Sequence, residues 1–299
     1  MSTIILQAVA SGIVTGCVYA LIALSLVLVY KSTDAINFAG GEMVMVGGYL
    51  GMAALLYFGL PYLTIFIFGA VAMFAIGALF DRVVLNKILG RSMPGQSVLV
   101  AMVIACVGLS DALKGIVRVF PYTEEVRRLP PYFTGESLTI GPVILQRQDV
   151  AIVVIAILIM IALWAFFRFT MTGKALRATS QNPRAAALVG VPVKVMRMSV
   201  WGIASMISAV AGILLASKLP MTPDIGIIVI LAFAAAIIGG FTSLPGCIAG
   251  GIVLGVIQNL VGVYISSKAI AVAPFLVIMI VLVFRPQGLF GGKMTAKKV

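Results

Sequence analysis

Long apolar runs separated by short connections restrict what this chain of 299 residues can fold into. A helix needs about 20 apolar residues to cross the hydrocarbon core of a bilayer. The runs that approach this length lie at residues 5–30, 43–58, 62–80, 95–113, 150–167, 198–217, 225–240, 246–265 and 269–284. We therefore predict an all-α polytopic membrane protein with eight or nine transmembrane segments, some of them short or broken. No connection is long enough for a second core, so residues 1–299 are predicted to form one transmembrane domain.

Composition supports this class and excludes several others. The chain is 62% hydrophobic and 10% charged, whereas soluble domains contain about 25% charged residues. Its net charge of +12 is spread between the apolar runs, which does not suit a domain that binds nucleic acid. The sequence has no histidine, no His/Cys metal cluster and no P-loop motif. We therefore predict no metal site, no cofactor and no catalytic residue.

The connection 168–197 is the main indication of orientation. Its basic residues are Arg168, Lys174, Arg177, Arg184, Lys194 and Arg197, and it contains no acidic residue. Because Lys and Arg accumulate in short connections on the cytoplasmic side, we place this connection in the cytoplasm. Alternation of the spans then places the N-terminus and the loop 114–149 outside and the C-terminus inside. This assignment puts twice as many Lys and Arg on the cytoplasmic side as on the outer side.

The same connection contains signals for a short helix. Asn182 is a typical N-cap residue, Pro183 suits the first helical position, and Gly190 can end the helix. We therefore predict a helix over residues 183–189 that is small and apolar except for Arg184. Two interpretations are open: the helix binds a groove of a partner protein, or the connection is a basic loop that only orients the chain and contacts lipid headgroups.

Two of the predicted spans are irregular. The short run 43–58 follows the polar, glycine-containing segment 34–42, and the run 225–240 ends at two glycines. Short or glycine-interrupted spans at corresponding places in two halves indicate a transport site. We therefore expect the first four and last four runs to form an inverted repeat. The residues expected to line a substrate path are Asn37, Phe38, Gly40, Gly41, Glu42, Gly239 and Gly240.

A structural interpretation of the same segments is also open. Asp34 and Glu42 would then lie near helix N-termini, where the helix dipole favours acidic side chains, and the glycines would allow close helix packing. At the outer end of the fourth run, Asp111 and Lys114 are spaced to form a surface pair. The outer segment 118–148 is either a surface that receives a binding protein or a disordered loop.

Several motifs, distributed along almost the whole chain, resemble one family. They are GKALRA at 173–178, Asn182-Pro183, AAAL at 185–188, Gly190, AGIL at 211–214, YALIAL at 19–24, INFAGGE at 36–42 and FRPQGLFG at 284–291. In this order they resemble the permeases of branched-chain amino acid ABC transporters, and specifically the first of the two similar permease subunits. Gly40 departs from the family, in which we expect histidine at this place in many members.

The resemblance implies a transport subunit of the bacterial inner membrane that is not itself an enzyme. The implied partners are a second, homologous permease subunit in a heterodimer, two ATP-binding subunits that hydrolyse ATP, an extracytoplasmic solute-binding protein and membrane lipid. The helix over 183–189 would then couple to an ATPase. The residues expected at this contact are Arg177, Asn182, Pro183, Arg184, Ala185, Ala186, Leu188 and Gly190.

The function expected on this basis is the translocation of branched-chain or other hydrophobic amino acids by an ATP-driven importer. One alternative is a related ABC permease for urea, an amide or another small solute, since such permeases differ modestly in sequence. A second alternative is an ATP-independent channel or a secondary carrier. The scarcity of acidic residues inside the apolar runs disfavours a proton-coupled carrier.

Overall fold

The computed structural model describes residues 2–90, 95–120, 128–132, 137–141, 143–241, 243–285 and 287–291. Parts of the predicted outer loop, at 121–127, 133–136 and 142, lie outside the described residues, as do Pro286 of the last motif and the basic tail after Gly291.

Helices make up most of the described chain. In chain order they are α1 (Ser2–Thr33), α2 (Gly40–Phe58), α3 (Tyr62–Phe80), a π-helical turn (Asp81–Leu85) that leads into α4 (Asn86–Leu89), α5 (Gly95–Val119), α6 (Arg147–Phe169), α7 (Met171–Gln181), α8 (Pro183–Leu188), α9 (Val193–Ala216), a 3-10 turn (Ile225–Ile228), α10 (Val229–Gly239), α11 (Leu244–Tyr264), a 3-10 turn (Ser267–Ala271) and α12 (Ala273–Phe284). The strands β1 (Leu138–Ile140) and β2 (Val143–Leu145) form an antiparallel hairpin in which Leu138 faces Leu145.

Helix lengths confirm the all-α polytopic fold. In the described residues, seven helices are long and apolar enough to cross a membrane. The seventh and ninth predicted runs form shorter apolar helices, Ile225–Gly239 and Ala273–Phe284. The first of these opens with the 3-10 turn Ile225–Ile228. The second begins directly before Pro274, and proline suits a first helical turn.

The chain separates into two compact units, and each unit is assembled from distant parts of the sequence. Unit 1 contains residues 1–27, 133–154 and 230–299, and unit 2 contains residues 28–132 and 155–229. These units do not correspond to the first four and last four runs. The inverted repeat therefore stays a prediction about the topology of the spans, because its two halves are not the two compact units.

Glycines bring α1 and α11 together in unit 1. A Cβ atom added at Gly12 or Gly16 would overlap the backbone of Val256 or Ile252, and one added at Gly251 would overlap that of Ala20. The helices therefore pack backbone to backbone, as small residues allow in membrane proteins.

Unit 2 is built around α9, whose residues 200–216 are almost entirely buried. Ser205 Oγ lies 3.3 Å from Met43 Sδ, and a Cβ atom at Gly47 would overlap Ala209. The α2 helix therefore runs in the same direction as α9. Contacts of Phe80 with Trp201 and of Gly69 with Ile213 make α3 run in the opposite direction. These directions agree with the alternation of the second, third and sixth spans.

Candidate functional site

The predicted helix of the basic connection is present as α8. The Oδ1 atom of Asn182 accepts a hydrogen bond from the Ala185 N–H at 3.0 Å, and Pro183 takes the first helical position. After the helix, Gly190 adopts a positive φ of 86°, which a glycine adopts without strain. The Val191 N–H then donates to the Ala186 carbonyl at 3.0 Å and closes the helix end. All three predicted helix signals are confirmed.

The side chains of α8 divide into one that is buried and several that are exposed. Ala186 is only 3% exposed and holds the helix against its neighbours, whereas Leu188 is 90% exposed and Val189 is 79% exposed. Arg177 and Arg184 are exposed as well, and so are Asn182, Pro183 and Ala185. An apolar tip with basic residues around it is therefore presented to the surroundings, which a solvated loop would not require.

A second helix in this connection, α7, was not predicted. It starts because the Oγ1 atom of Thr170 accepts a hydrogen bond from the Gly173 N–H at 2.9 Å. Its Leu176 is buried and its Lys174 and Arg177 are exposed. The signal available in the sequence was Thr170, a cap residue placed before a run with one apolar side.

One buried ion pair joins α9 to the end of α3. The Nε atom of Arg197 lies 2.6 Å from Asp81 Oδ1, and its Nη2 atom lies 3.4 Å from Asp81 Oδ2 and from Asn86 Oδ1. The side chain of Asp81 is 1% exposed and that of Arg197 is 10% exposed. Asp81 also opens the π-helical turn, a distortion that is frequent at functional positions. This pair was not predicted, because the two residues are distant in the chain.

The segment before α2 is a compact turn. Asp34 ends α1 with φ at 55° and donates its N–H to the Tyr30 carbonyl at 2.8 Å. The expectation that Asp34 lies near a helix N-terminus is therefore wrong: a short polar side chain tolerates the left-handed conformation that follows a helix. Asn37 is 3% exposed, and its Oδ1 atom accepts a hydrogen bond from the Ala39 N–H at 3.0 Å. Phe38 is 41% exposed.

A second break in unit 2 meets the start of α2. After α9 the chain turns back along α2, so that Met221 lies against Gly48 and Gly226 lies against Gly41. A Cβ atom at Gly41 would overlap the Gly226 carbonyl oxygen. The 3-10 turn Ile225–Ile228, at the start of the predicted run 225–240, thus faces the start of α2, whereas Gly239 and Gly240 at the end of that run lie against Gly246 and the last motif of the chain. Pro220 and Pro223 were the signals that this stretch is not a simple outer connection.

The carboxylate of Glu42 lies at the meeting point of the two breaks. Glu42 is in the first turn of α2, as expected, and a Cβ atom at Gly226 would lie 2.8 Å from its Oε1 atom. Its Oε2 atom is buried and has no hydrogen-bond partner among the described residues. A buried carboxylate oxygen without a partner is costly, so this group is a candidate for contact with a ligand.

Directly before the turn Ile225–Ile228, Asp224 forms an ion pair with Lys114. Lys114 Nζ lies 2.5 Å from Asp224 Oδ1, and Arg118 Nη2 lies 3.5 Å from the same oxygen. The hydrogen bond and the charge of Lys114 hold the pKa of Asp224 below its ordinary value. The observed partner of Lys114 is therefore Asp224, in contrast to the predicted pair with Asp111.

The Gly239-Gly240 break belongs to unit 1, and residues of the last motif of the chain pack against it. Gly240 has φ at 99°, and a Cβ atom there would lie 2.8 Å from Gly291 N. The N–H groups of Leu289 and Phe290 donate to the carbonyls of Ile238 and Gly239 at 2.7 and 3.1 Å. The last motif of the chain thus closes this break.

One described part of the outer loop is ordered. Leu129 is 1% exposed, and its N–H donates to the Ala216 carbonyl at 2.9 Å. The Tyr132 hydroxyl donates to the Ile213 carbonyl, and the Tyr62 hydroxyl donates to the Pro130 carbonyl at 3.1 Å. Residues 128–132 are therefore fixed on the ends of α3 and α9.

Comparison with known proteins gives one consistent family. A family model described as "Branched-chain amino acid transport system / permease component" matches residues 8–284. The LivH high-affinity branched-chain amino acid transport system permease proteins of Salmonella typhimurium and Escherichia coli K12 are each 32% identical over 301 residues, covering 96% of this chain and 95% of the relative. The BraD protein of Pseudomonas aeruginosa is 29% identical with the same coverage. The solved structure of PsaBC from Streptococcus pneumoniae in complex with Fab, with 15% identity and a TM-score of 0.49 over 92% of this chain and 90% of that one, is too distant to support a functional argument.

Proposed function

The chain belongs to the permease components of branched-chain amino acid transport systems, and from this membership we propose that it moves branched-chain amino acids across the bacterial inner membrane. It is a multi-pass membrane protein and a permease subunit of an ABC importer. The observation that carries the proposal is the family match over residues 8–284, together with relatives of nearly equal length that are named for this transport.

As an ABC permease, the chain works with ATP-binding and solute-binding components. We propose that it is the first of two similar permease subunits, which pair as a heterodimer and bind two ATPases that carry out all ATP hydrolysis. An extracytoplasmic protein delivers the amino acid. With the basic connection in the cytoplasm, the N-terminus lies outside and the C-terminus inside.

The α8 helix is the proposed contact with an ATPase. Its support is the exposure of Leu188 and Val189 beside the basic side chains of Arg177 and Arg184. An apolar tip can fill a groove of a partner, and the basic residues can pair with acidic groups around it. The Asn182 cap and the Gly190 stop keep the helix rigid enough to transmit a displacement.

The proposed substrate path passes the break at Asn37–Glu42, including Phe38, Gly40 and Gly41. Its support is the packing of the first turn of α2 against the 3-10 turn Ile225–Ile228 inside unit 2, because irregular backbone is tolerated at membrane depth only where protein or a polar cavity surrounds it. The Oε2 atom of Glu42 is the polar group available to a zwitterionic solute. For Gly239 and Gly240 a place on the path stays a prediction, because their observed contacts are structural.

The transport proposal is tested in proteoliposomes that contain this chain with its neighbouring permease and ATPases, supplied with the solute-binding protein and labelled leucine. We expect uptake that requires ATP. Leu188→Glu places a charge on the apolar tip and should abolish uptake and ATPase co-purification, whereas the control Leu138→Glu, at an exposed leucine of β1 in the outer loop, should leave ATPase co-purification intact.

If the proteoliposomes took up urea or an amide but no leucine, the proposed substrate would be wrong and that solute would take its place. Leucine uptake that persists after ATP depletion, with Leu188→Glu fully active, would overturn the importer function itself.

A further inference from the structure

The ion pair between Arg197 and Asp81 joins the start of α9 to the π-helical turn at the end of α3. Arg197 lies in the first turns of α9, and α9 follows α8 after only a few residues. The Val191 N–H donates to the Ala186 carbonyl at 3.0 Å and the Gly190 N–H donates to the Ala187 carbonyl at 3.0 Å. The link from α8 to α9 is therefore short and hydrogen-bonded, so that a displacement of α8 reaches α9 directly.

On the other side of the pair, Asp81 lies where α3 changes from α-helical to π-helical geometry. A π-helical turn widens the helix and interrupts its regular hydrogen bonding, so the inner end of α3 needs an external support. Arg197 supplies it with two hydrogen bonds to the Asp81 carboxylate, and it reaches Asn86 beyond the turn as well. The contact therefore spans the whole distorted turn.

Farther from the ion pair, α3 and α9 are in close contact. A Cβ atom at Gly77 would overlap Ser205 and the Trp201 carbonyl, and one at Gly202 would lie 2.6 Å from the Phe74 ring. On its other side, α9 packs against α2 through Gly212, where a Cβ atom would overlap the Val44 carbonyl. Motion of α9 is thus communicated to the helix that begins at the Glu42 break.

From this geometry we propose that the Arg197–Asp81 pair is a positioning contact for transport: it makes α3 and α9 move as one body when the ATPase displaces α8. This rests on the proposed function, because it assumes that α8 receives the displacement. Without the pair, the π-helical end of α3 yields while α9 moves, and ATP is hydrolysed without passage of solute.

The test uses the complete transporter with its ATPases and solute-binding protein. Arg197→Gln and Asp81→Asn should lower leucine transported per ATP hydrolysed by about tenfold, with unchanged assembly and ATPase rate. The charge exchange Arg197→Asp with Asp81→Arg should restore part of the ratio, and Arg197→Lys should be intermediate because lysine cannot form the paired hydrogen bonds. An exposed residue of the same turn supplies a matched control: Arg82→Gln, which removes a neighbouring basic charge without touching the ion pair, should leave the ratio unchanged.

A second measurement does not depend on the substrate. Spin labels on Val83→Cys and Val195→Cys, both half exposed, report the distance between the ends of α3 and α9. We expect one distance that ATP does not change in the otherwise wild-type chain, and a second distance on ATP binding when Arg197→Gln is added. Three results would each overturn the proposal. They are an unchanged ratio of leucine transported per ATP hydrolysed in Arg197→Gln, a parallel fall of assembly, ATPase rate and transport in that variant, and a label distance that ATP already changes in the wild-type background. Absence of leucine uptake by the wild-type complex would instead contradict the proposed substrate and leave the label measurement valid.

Discussion

In the described part of the chain, the helix break before Gly41 and the one at Gly240 are completed in different ways. At Gly240 the N–H groups of Leu289 and Phe290 reach the carbonyls of Ile238 and Gly239, so the exposed backbone groups find partners in the chain itself. At Gly41 the facing segment is another break, the turn at Gly226, and the Glu42 Oε2 atom between them is buried without a partner among the described residues.

The difference shows that a glycine pair does not by itself identify a transport site. Native proteins satisfy nearly all buried polar groups, so an exception requires an explanation. The break at Gly240 needs none beyond chain packing. The break at Gly41 retains an unsatisfied carboxylate oxygen, which is the property expected of a place that a polar solute visits.

The largest expected effect comes from Gly41→Ala. The added Cβ atom would overlap the Gly226 carbonyl, which belongs to the backbone and cannot rotate away. Overpacking of this kind costs about 1–3 kcal/mol, and it also separates the two breaks, so we expect leucine uptake to be lost. Uptake into proteoliposomes, normalised to folded protein, measures it.

The control for Gly41→Ala is Gly108→Ala in α5, where an added Cβ atom meets nothing within 4 Å. This variant should transport normally and gain up to about 1 kcal/mol from the better helix propensity of alanine. If the two variants took up leucine at the same rate, the close approach of Gly41 to Gly226 would not be required for transport.

A smaller effect is expected from Glu42→Gln, which keeps the shape of the side chain and removes its charge. Because the buried Oε2 atom has no hydrogen-bond partner among the described residues, removing the charge should leave the melting temperature equal or raise it. Transport should fall by about tenfold, the factor that corresponds to one lost interaction of about 1.4 kcal/mol with the solute. Thermal unfolding and initial uptake rates measure the two quantities. Normal uptake in Glu42→Gln would show that the carboxylate serves the helix N-terminus alone.

The smallest effect on transport per molecule is expected from Gly240→Ala. An alanine at φ of 99° is strained, and a left-handed conformation costs a non-glycine residue about 1–2 kcal/mol. We expect less folded protein and a lower melting temperature, with normal turnover of the molecules that do fold. Gly115→Ala, at an open position of α5, is the control. A stable Gly240→Ala protein with lost turnover would place this break on the path and abolish the distinction between the two regions.

Much of the architecture was predictable because its causes are local. The apolar runs predicted the long helices within a few residues, since length and hydropathy suffice to identify a membrane span. Asn182, Pro183 and Gly190 predicted α8, since capping acts on the adjacent turn. The return of the chain from Met221 to Gly226 was not predicted, because its stability comes from glycine contacts with α2 that no local pattern contains.

The sequence by itself therefore determined the membrane class, the long helices, the family motifs and the capped α8, all of which depend on composition or on neighbours within one helical turn. Only the tertiary structure decided which break faces which, where Asp224 finds Lys114, and that Arg197 meets Asp81. These contacts join residues far apart in the chain, and their partners are selected by the packing of whole helices around α9, which local sequence patterns do not encode.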